Sequence, residues 1–520
     1  MSIYIFSLLV GYMPNGVDNA QGYRAGMLRE MGYPATHIFT KLPTRRYVNR
    51  YRKAGIHVDE MLSLHQIFTD NRTLELTGRA EEKLEELRRS LGYTELRREE
   101  REIQLLRDGA RIAALLLEQD IPAYFYGIHY YSQGKLVRTE YYTDGLAYVD
   151  YYVTDVSEKG AFARLARRSF LNRDGAVAYE QFFDGEREWY VFPEGRLCTK
   201  SEFIGEGVKA LDLTERDTVI VDRSSQLDFV QPLFRFGRRA RFIAVLHSGH
   251  FFEKGEDPRT VYLNYEYYYW FKYTALIDTM VVSTQEQKEE LTEKLREYGC
   301  RVPDIAVIPA GGLDRLRYPE GERRPGSILS VSRMDPRKKI EWIVRSVIRA
   351  HDQNPGISLD IYGRGEADYT EYLQRLVEEH GARDYIRFMG RRDVTEVYKS
   401  YEVFMTASLW ETLGLSVMEA VGSGAAVIGL DVKYGNRVFV HPDRNGYLVD
   451  FDVRYVDGED EPLIADMARR IVDIFHDRKR LEGFHRESYE AAGGFLQGVV
   501  AEMWRGLLLT SDRDGDGARK

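Results

Sequence analysis

The chain has 520 residues, of which 43% are apolar and 30% are charged, and its formal net charge is −9. This length exceeds what one hydrophobic core can organise, so we expect about two to four domains. The negative charge excludes a general nucleic-acid-binding protein, which would present a basic face, and any bound phosphate must therefore meet a local cluster of cations.

Cysteine content and hydropathy indicate the cell compartment. Cys198 and Cys300 are far apart and lack metal-ligand spacing, which excludes a disulfide framework or a cysteine zinc site and suits a reducing cytoplasm. The apolar run from Ile3 to Val10 has no basic leader, so it predicts a buried strand rather than a signal peptide. No apolar run reaches the length of a membrane span. We expect a cytoplasmic protein and leave open peripheral contact with the inner face of the cell membrane.

The N-terminal part alternates short apolar strands with helices, which is typical of a parallel, doubly wound sheet. This pattern runs from Ile3 to Met31 and resumes with strands at Thr218–Asp222, Phe242–Leu246 and Met280–Ser283. Residues from about Thr44 to Leu211 interrupt it. The sequence therefore predicts an insertion into the first doubly wound domain.

The insertion begins with a charged section, Glu81–Gln119, which we predict to be helical, and continues with tyrosine-rich strands. Four dipeptides typical of hairpin turns separate these strands: Gln133-Gly134, Asp144-Gly145, Asp174-Gly175 and Asp184-Gly185. We infer an antiparallel β-meander. Its tyrosines either form a surface for a protein partner or polypeptide substrate or fill half-buried strands, and the pattern favours neither interpretation.

The C-terminal half predicts a second doubly wound sheet. Its predicted strands are Ser327–Ser332, Ser358–Tyr362, Ile386–Met389, Glu402–Ala407 and Ala426–Leu430. Its predicted helices are Ile340–Ala350, Tyr369–His380, Thr395–Ser400 and Gly414–Gly422. Strands that alternate with helices in this way pair in parallel, because each helix returns the chain to the same edge of the sheet.

Two motifs of the N-terminal part could contact a ligand. The loop from Gly11 to Asp18 joins the first strand to the first helix, and its glycines permit either close backbone contact with a ligand or a tight turn. His247 and His250 follow the strand that ends at Leu246, and either could bind a sugar hydroxyl. A metal pair is disfavoured because no third ligand accompanies them.

Four cations, Arg333, Arg337, Lys338 and Lys339, follow the strand at Ser327–Ser332. Open α/β sheets bind ligands at the carboxyl ends of their strands, so this cluster predicts a pyrophosphate site rather than a solvated loop. Arginine can bind two phosphate oxygens, whereas lysine supplies a point charge for the leaving diphosphate. The chain contains no Walker loop.

Two glutamates define the most informative stretch of the sequence, Ser408–Gly424. Glu411 lies in the loop after a strand, and Glu419 lies about two turns into the next helix, so we expect both carboxylates to face one cavity. Gly414 would let the backbone approach a ligand closely where the helix begins. In combination with the cation cluster, this pattern predicts a site for a sugar nucleotide.

In their order along the chain, these motifs resemble the retaining glycosyltransferases of GT-B fold, a large family that includes glycogen and sucrose synthases. The whole chain is similar to the O-linked N-acetylglucosaminyltransferase subunits of the accessory Sec system, which glycosylate serine-rich-repeat adhesins. The stretches that carry this resemblance are Val17–Gly26, Val331–Trp342 and the inserted meander. The resemblance implies an α/β fold with two Rossmann-like domains that face a cleft.

From these observations we predict the following domain boundaries. Residues 1–44 and 212–310 form the acceptor-side lobe, 45–211 the insertion, 311–490 the donor-binding lobe, 491–510 a C-terminal helix and 511–520 a disordered tail.

The resemblance also implies roles for individual residues. Nucleotide contacts fall on Gly16, Val17, Asp18, Asn19, Arg333, Lys338, Arg391, Arg392 and Glu419. Contacts with the donor sugar fall on His247, Glu411, Thr412, Leu413 and Gly414, with His250 as an additional candidate. Arg333, Lys338 and Glu411 are the expected catalytic residues. The chain departs from the family at Thr412-Leu413 and at Ser248-Gly249, which leaves open whether the donor carries N-acetylglucosamine or glucose.

The implied reaction transfers N-acetylglucosamine from UDP-N-acetylglucosamine to serine or threonine of a surface adhesin before export, with no metal or other cofactor. A paralogous subunit is the expected partner in a hetero-oligomer. One alternative is glycosylation of teichoic acid, for which the insertion offers three arginines, Arg164, Arg167 and Arg168, among many acidic residues. The other alternative is a non-catalytic subunit that binds the acceptor. Such a subunit has no need of the charged donor site, and the presence of Arg333, Lys338, Glu411 and Glu419 favours an enzyme.

Overall fold

The computed structural model of the protein describes residues 2–7, 16–157, 160–222, 227–253 and 261–509. Residues 8–10 of the predicted first strand, the loop residues 11–15 and the predicted tail 511–520 lie outside these ranges. The chain divides into two compact units, Met1–Val245 with Tyr265–Thr279 and Leu246–Asn264 with Met280–Lys520. The domain boundaries given above stay predictions.

The first strands and helices follow the predicted alternation. They are β1 (Ile3–Ser7), α1 (Gly16–Glu30), β2 (Ala35–Phe39), α2 (Arg45–Lys53) and β3 (Met61–Ser63). β1 pairs in parallel with β2, and β2 pairs in parallel with β3. Ile5 and Ile38 are fully buried, as expected for a parallel sheet that is covered on both faces.

The insertion is built around one long antiparallel sheet. After α3 (Ala80–Leu91) come β4 (Glu95–Arg98), β5 (Glu102–Arg107), β6 (Ala110–Leu117), β7 (Phe125–Ser132), β8 (Lys135–Tyr142), β9 (Leu146–Ser157), β10 (Gly160–Leu171), β11 (Val177–Asp184), β12 (Arg187–Val191), β13 (Leu197–Thr199) and the helix α4 (Lys200–Ala210). The ten strands pair in sequential order from β4 to β13. This arrangement confirms the meander, and the four predicted hairpin turns all connect neighbouring strands.

The helical prediction for Glu81–Gln119 is wrong beyond Leu91. α3 ends at Leu91 and is capped by Gly92, which adopts left-handed backbone angles (φ 58°), and β4, β5 and β6 follow it. An Asp108-Gly109 turn with positive φ at both residues joins β5 to β6, and this pair is itself a hairpin signal. Alternate burial of the apolar side chains in β5 outweighs the helix propensity of its charged residues.

Part of the aromatic content of the insertion forms a core. Tyr179, Tyr190 and Phe203 are at most 2% exposed, and the ring centroids of Tyr190 and Phe203 lie 3.9 Å apart. His65 stacks on Phe170 in the same cluster, and burial lowers its pKa to about 3. These rings support the interpretation of the tyrosines as packing residues for one end of the sheet.

The chain then returns to the first parallel sheet. The elements are β14 (Thr218–Val221), α5 (Leu227–Phe236), β15 (Arg241–Val245), β16 (Phe251–Glu253), β17 (Val261–Leu263), α6 (Tyr268–Lys272), β18 (Thr279–Val282), α7 (Gln285–Glu297) and β19 (Asp304–Val307). The resulting strand order is β19-β18-β15-β14-β1-β2-β3. β16 and β17 form a separate two-stranded sheet.

The C-terminal half forms the second parallel sheet. Its elements are β20 (Ser327–Val331), α8 (Ile340–His351), β21 (Ser358–Tyr362), α9 (Ala367–Glu379), β22 (Ile386–Gly390), β23 (Val403–Met405), α10 (Leu415–Gly422), β24 (Ala426–Leu430), α11 (Gly435–Phe439), β25 (Gly446–Val449), α12 (Glu461–His476), α13 (Arg478–Ala492) and α14 (Gln497–Leu509). The strand order is β22-β21-β20-β23-β24-β25. The helix predicted at Thr395–Ser400 is only a 3₁₀ turn, Tyr398–Ser400.

The strand order of this sheet reverses between β20 and β23. β20 pairs in parallel with both β21 and β23, so the chain leaves β20 toward one edge and later returns to its other side. Doubly wound sheets bind ligands at such a reversal, outside the carboxyl ends of the strands. The cation cluster follows β20, and the Glu411 loop follows β23.

Candidate donor-binding site

The loop after β20 carries the predicted cations on a short 3₁₀ turn, Pro336–Lys338. Asp335 caps this turn by accepting a hydrogen bond from the backbone N–H of Arg337 at 3.0 Å. The Arg337 side chain forks onto the same carboxylate at 2.9 and 2.6 Å and holds the pKa of Asp335 down at about 2. Arg333 is half exposed, and one of its guanidinium nitrogens lies 3.9 Å from Asp335. The ionised Asp335 carboxylate thereby holds the loop in place through both the backbone and the side chain of Arg337.

Lys338 points from this turn to the loop after β23. Its Nζ lies 2.7 Å from Glu411 Oε1 and 2.8 Å from Ser408 Oγ. The Lys338 and Glu411 side chains are 20% and 16% exposed. The structure thus joins two predicted catalytic residues in a shielded ion pair at the strand reversal, where such a pair is stronger than at the surface.

The backbone of the Glu411 loop is held by the segment after β24. The Glu411 carbonyl accepts hydrogen bonds from the N–H groups of Tyr434 at 2.9 Å and Gly435 at 2.8 Å. Leu413 is buried, whereas Thr412 is half-buried. Gly414 has φ 79°, a left-handed conformation that favours glycine immediately before α10. The backbone of the loop is therefore fixed by hydrogen bonds at Glu411 and by the left-handed turn at Gly414.

Glu419 is the fifth residue of α10, about one turn into the helix rather than two. Its carboxylate accepts a hydrogen bond from Tyr398 Oη at 2.8 Å. Burial raises its pKa, and this effect exceeds the opposing effect of the Tyr398 hydrogen bond. Glu411 and Glu419 have different partners, so the expectation that both face one cavity stays a prediction.

The other predicted contacts lie on separate elements. Arg391 and Arg392 follow β22 and are exposed. The predicted residues Gly16, Val17, Asp18 and Asn19 form the first turn of α1, in the first unit. Gly16 is exposed, while Asp18 is only 7% exposed.

The two histidines after β15 differ in burial. His247 is half-buried, whereas His250 is fully buried and its ring lies edge-on to Phe251. Desolvation, with smaller contributions from Lys433 and Lys294, lowers the pKa of His250 to about 3. His250 is therefore neutral at neutral pH, and its complete burial indicates a structural role more than a contact with the sugar.

No role was predicted for Ser408, Glu290, Lys433 or Tyr434. Ser408 contacts Lys338, and Glu290 contacts both Lys433 and Tyr434 of the segment that holds the Glu411 loop. Ser408, Lys433 and Tyr434 each follow the carboxyl end of a parallel strand. That position is a signal that could have identified these three residues.

Within the described ranges, no cluster of three or more His, Cys, Asp and Glu side chains suited to a metal ion is found. The expectation that the reaction needs no metal stays a prediction. None of the helices among the described residues is both long and apolar enough to cross a bilayer.

Two families match parts of this chain. Residues 325–471 match the family described as "Glycosyl transferases group 1". Residues 95–194 match the "GtfA extended beta-sheet domain", which corresponds to strands β4 to β12. The first match thus falls within the predicted donor lobe, and the second falls within the inserted meander.

Similarity to individual proteins extends over the whole chain. The chain is 33% identical over 515 residues to the "UDP-N-acetylglucosamine--peptide N-acetylglucosaminyltransferase GtfA subunit" of Streptococcus gordonii, covering 98% of each sequence. It superimposes on the pneumococcal O-GlcNAc transferase GtfA, solved with UDP and GlcNAc, with a TM-score of 0.87, 29% identity and 99% coverage of each chain. A solved GtfA/B complex matches with a TM-score of 0.89 and 31% identity, covering 99% of this chain and 100% of that one. The expected GT-B fold with an inserted antiparallel sheet is confirmed, and the chain belongs to the family of GtfA subunits.

Proposed function

We propose that the protein is a retaining glycosyltransferase that moves N-acetylglucosamine from UDP-N-acetylglucosamine to serine or threonine of a polypeptide. The observation that carries the proposal is the Lys338–Glu411 ion pair at the strand reversal, in a chain 33% identical to a relative named for this activity. A subunit that only binds the acceptor does not require the Lys338–Glu411 ion pair, because it does not bind a sugar nucleotide. The donor site therefore favours catalysis.

In the proposed mechanism, Lys338 and Arg333 stabilise the negative charge that develops on the diphosphate as the bond to the sugar breaks. The leaving β-phosphate accepts the proton of the attacking hydroxyl on the same face of the sugar, which retains the anomeric configuration. Before the donor arrives, Glu411 neutralises Lys338 at 2.7 Å and holds its Nζ in place. A preorganised cation of this kind stabilises the transition state without reorganising during the reaction.

The remaining donor contacts are assigned by the same proposal. Residues 411–414 and His247 bind the sugar, and Glu419 binds the ribose hydroxyls. Residues 16–19, Arg391 and Arg392 contact the nucleotide. No metal ion takes part in this scheme, because fixed cations of the chain bind the diphosphate.

UDP binding is expected to depend on pH through Glu419. Since burial raises the pKa of this carboxyl above its ordinary value of 4.5, UDP affinity should fall as the pH is lowered toward the raised value, where the ribose loses an ionised acceptor. The same shift stabilises folding below pH 4.5, and that contribution is lost as the pH rises through the raised pKa. Calorimetric titration of UDP between about pH 5 and about pH 8 measures the dependence.

Glu419→Gln is the control for this prediction. The variant should bind UDP about tenfold more weakly near neutral pH and should lose affinity on the acid side only through protonation of the UDP phosphate, whose second pKa is about 6. An identical pH profile in both proteins would contradict the assignment of Glu419 to the ribose.

For the acceptor and partner, we propose a serine-rich surface adhesin that is modified before export by a hetero-oligomer with a paralogous subunit. The solved GtfA/B complex of a relative supports a two-subunit assembly. The longest hairpin of the insertion, β9–β10, also exposes apolar side chains, with Val156 75% and Phe162 48% exposed. Exposed apolar residues at one tip suit a protein interface. We further propose a cytoplasmic site of action, with peripheral contact at the inner face of the membrane.

The function is tested by incubating the purified chain, with and without the paralogous subunit, with a serine-rich peptide and either UDP-N-acetylglucosamine or UDP-glucose. The expected result is addition of N-acetylhexosamine to the peptide, read by mass spectrometry and lost in Glu411→Gln. Addition of a hexose would instead assign UDP-glucose as the donor. Transfer to teichoic acid but not to peptide, or no transfer with either donor, would overturn the proposal in favour of the teichoic-acid enzyme or the acceptor-binding subunit.

A further inference from the structure

Helix α7 carries a carboxylate that binds the segment after β24. Glu290 Oε1 accepts a hydrogen bond from Lys433 Nζ at 2.7 Å, and its Oε2 accepts one from Tyr434 Oη. The Glu290 side chain is 14% exposed and Tyr434 is 4% exposed, whereas Lys433 is 42% exposed. The hydrogen bond from the buried Tyr434 hydroxyl to the Glu290 carboxylate is therefore the shielded one, and it holds its partners more firmly than a surface contact does.

The same segment holds the Glu411 loop through its backbone. The N–H groups of Tyr434 and Gly435 both donate to the Glu411 carbonyl. A Cβ atom on Gly435 would lie 2.2 Å from the Leu413 carbonyl oxygen, so the two backbones are in direct contact. A displacement of Tyr434 must therefore move Glu411 or break these hydrogen bonds, because close-packed segments leave no free space between them.

A second ion pair joins α7 to this region. Arg437 lies 2.6 Å from both Glu286 and Asp431. Arg437 is 40% exposed and Glu286 is 34% exposed, and such a pair contributes little because solvent screens it. Glu290 is thus the shielded anchor of the segment on α7, and Glu286 is an outer contact.

We propose that Glu290 is a positioning residue for the donor sugar site. It holds Lys433 and Tyr434, whose segment fixes the backbone of Glu411, and Glu411 in turn fixes Lys338. A carboxylate is required because one side chain must neutralise an ammonium group and accept from a phenol at the same time. The inference rests on the proposed function, since it takes residues 411–414 as the binding site of the sugar.

The variants Glu290→Ala and Tyr434→Phe test the inference, with Glu293→Ala as a matched control on the exposed face of α7. Titration calorimetry gives the Kd of each protein for UDP and for UDP-N-acetylglucosamine, and peptide transfer gives kcat and KM. A merely structural role would change both Kd values together or lower only the thermal unfolding midpoint. Positioning of the sugar loop should instead change their ratio.

We expect Glu290→Ala to raise the ratio of the Kd for UDP-N-acetylglucosamine to the Kd for UDP about tenfold, and to lower kcat by about 10–100-fold, since small misplacements of catalytic groups have large effects. Tyr434→Phe should change the ratio and kcat in the same direction. The double variant Glu290→Ala, Tyr434→Phe should show a smaller effect than the two single effects added together, because both substitutions break the same series of contacts. Glu293→Ala should match the wild type.

An unchanged ratio and an unchanged kcat in Glu290→Ala would overturn the inference. Should that variant fail to fold, Tyr434→Phe decides, because it removes a single hydroxyl. If the wild type binds UDP-N-acetylglucosamine but transfers nothing, the proposed function fails while the ratio still tests the role of Glu290. If the wild type binds neither ligand, both proposals are overturned.

Discussion

Lys338→Ala should lower turnover by about 10²–10³-fold, which corresponds to about 2.7–4 kcal/mol of lost transition-state stabilisation. The variant loses the cation that would meet the developing charge on the diphosphate. It also leaves the Glu411 carboxylate, only 16% exposed, without its partner at 2.7 Å. Because the wild-type ion pair is already preorganised before the donor arrives, the loss should appear mainly in kcat. Steady-state kinetics with a serine-rich peptide and UDP-N-acetylglucosamine measures it.

The matched control is Lys479→Ala, which removes an exposed lysine from α13. We expect its kinetics to equal those of the wild type. Circular dichroism and thermal unfolding of Lys338→Ala should show a folded protein. Unchanged turnover in folded Lys338→Ala would exclude Lys338 from the mechanism and, with it, the interpretation of the ion pair as a diphosphate site.

Asp222→Ala should destabilise the first unit by about 3–5 kcal/mol. Asp222 follows β14 and accepts two hydrogen bonds from Arg24 of α1, at 3.0 and 2.7 Å, and one from Gln21 at 2.8 Å. Both charged side chains are 3% exposed. The substitution leaves the Arg24 guanidinium buried without its carboxylate, and removing one partner of a buried pair is far more harmful than removing both.

Hydrogen exchange in β1 and β14 is the suitable readout, because it reports the local stability of these strands in a protein of two units. Asp120→Ala, which breaks an exposed pair with Lys53, is the control and should change stability by at most about 1 kcal/mol. The combined variant Arg24→Met, Asp222→Leu should recover part of the loss. Equal protection in Asp222→Ala and the wild type would show that the pair does not hold α1 to the sheet.

The periodicity of apolar residues was sufficient to predict the parallel sheets. The strands Ser358–Tyr362 and Ala426–Leu430 begin and end where predicted, because strands buried on both faces are continuous apolar runs with clear ends. The hairpin dipeptides likewise predicted the meander from β7 onward. Periodicity failed for β4 to β6, where charged residues on the polar side of the strands imitate the surface of a helix.

Lys338 and Glu411 could be identified as candidate donor-site residues because each is a functional residue type that follows the end of a strand, and their roles stay predictions. Their pairing was not predictable, since 73 positions separate them and only the return of β23 to the side of β20 brings the two loops together. The role proposed for Glu290 could not be predicted for the same reason, because Glu290 and Tyr434 are 144 positions apart. Local patterns of polarity and turn residues decide which elements form and which residues stand at their ends. Contacts between loops that are distant along the chain arise only when the strands pair, so the tertiary structure alone decided which charges meet.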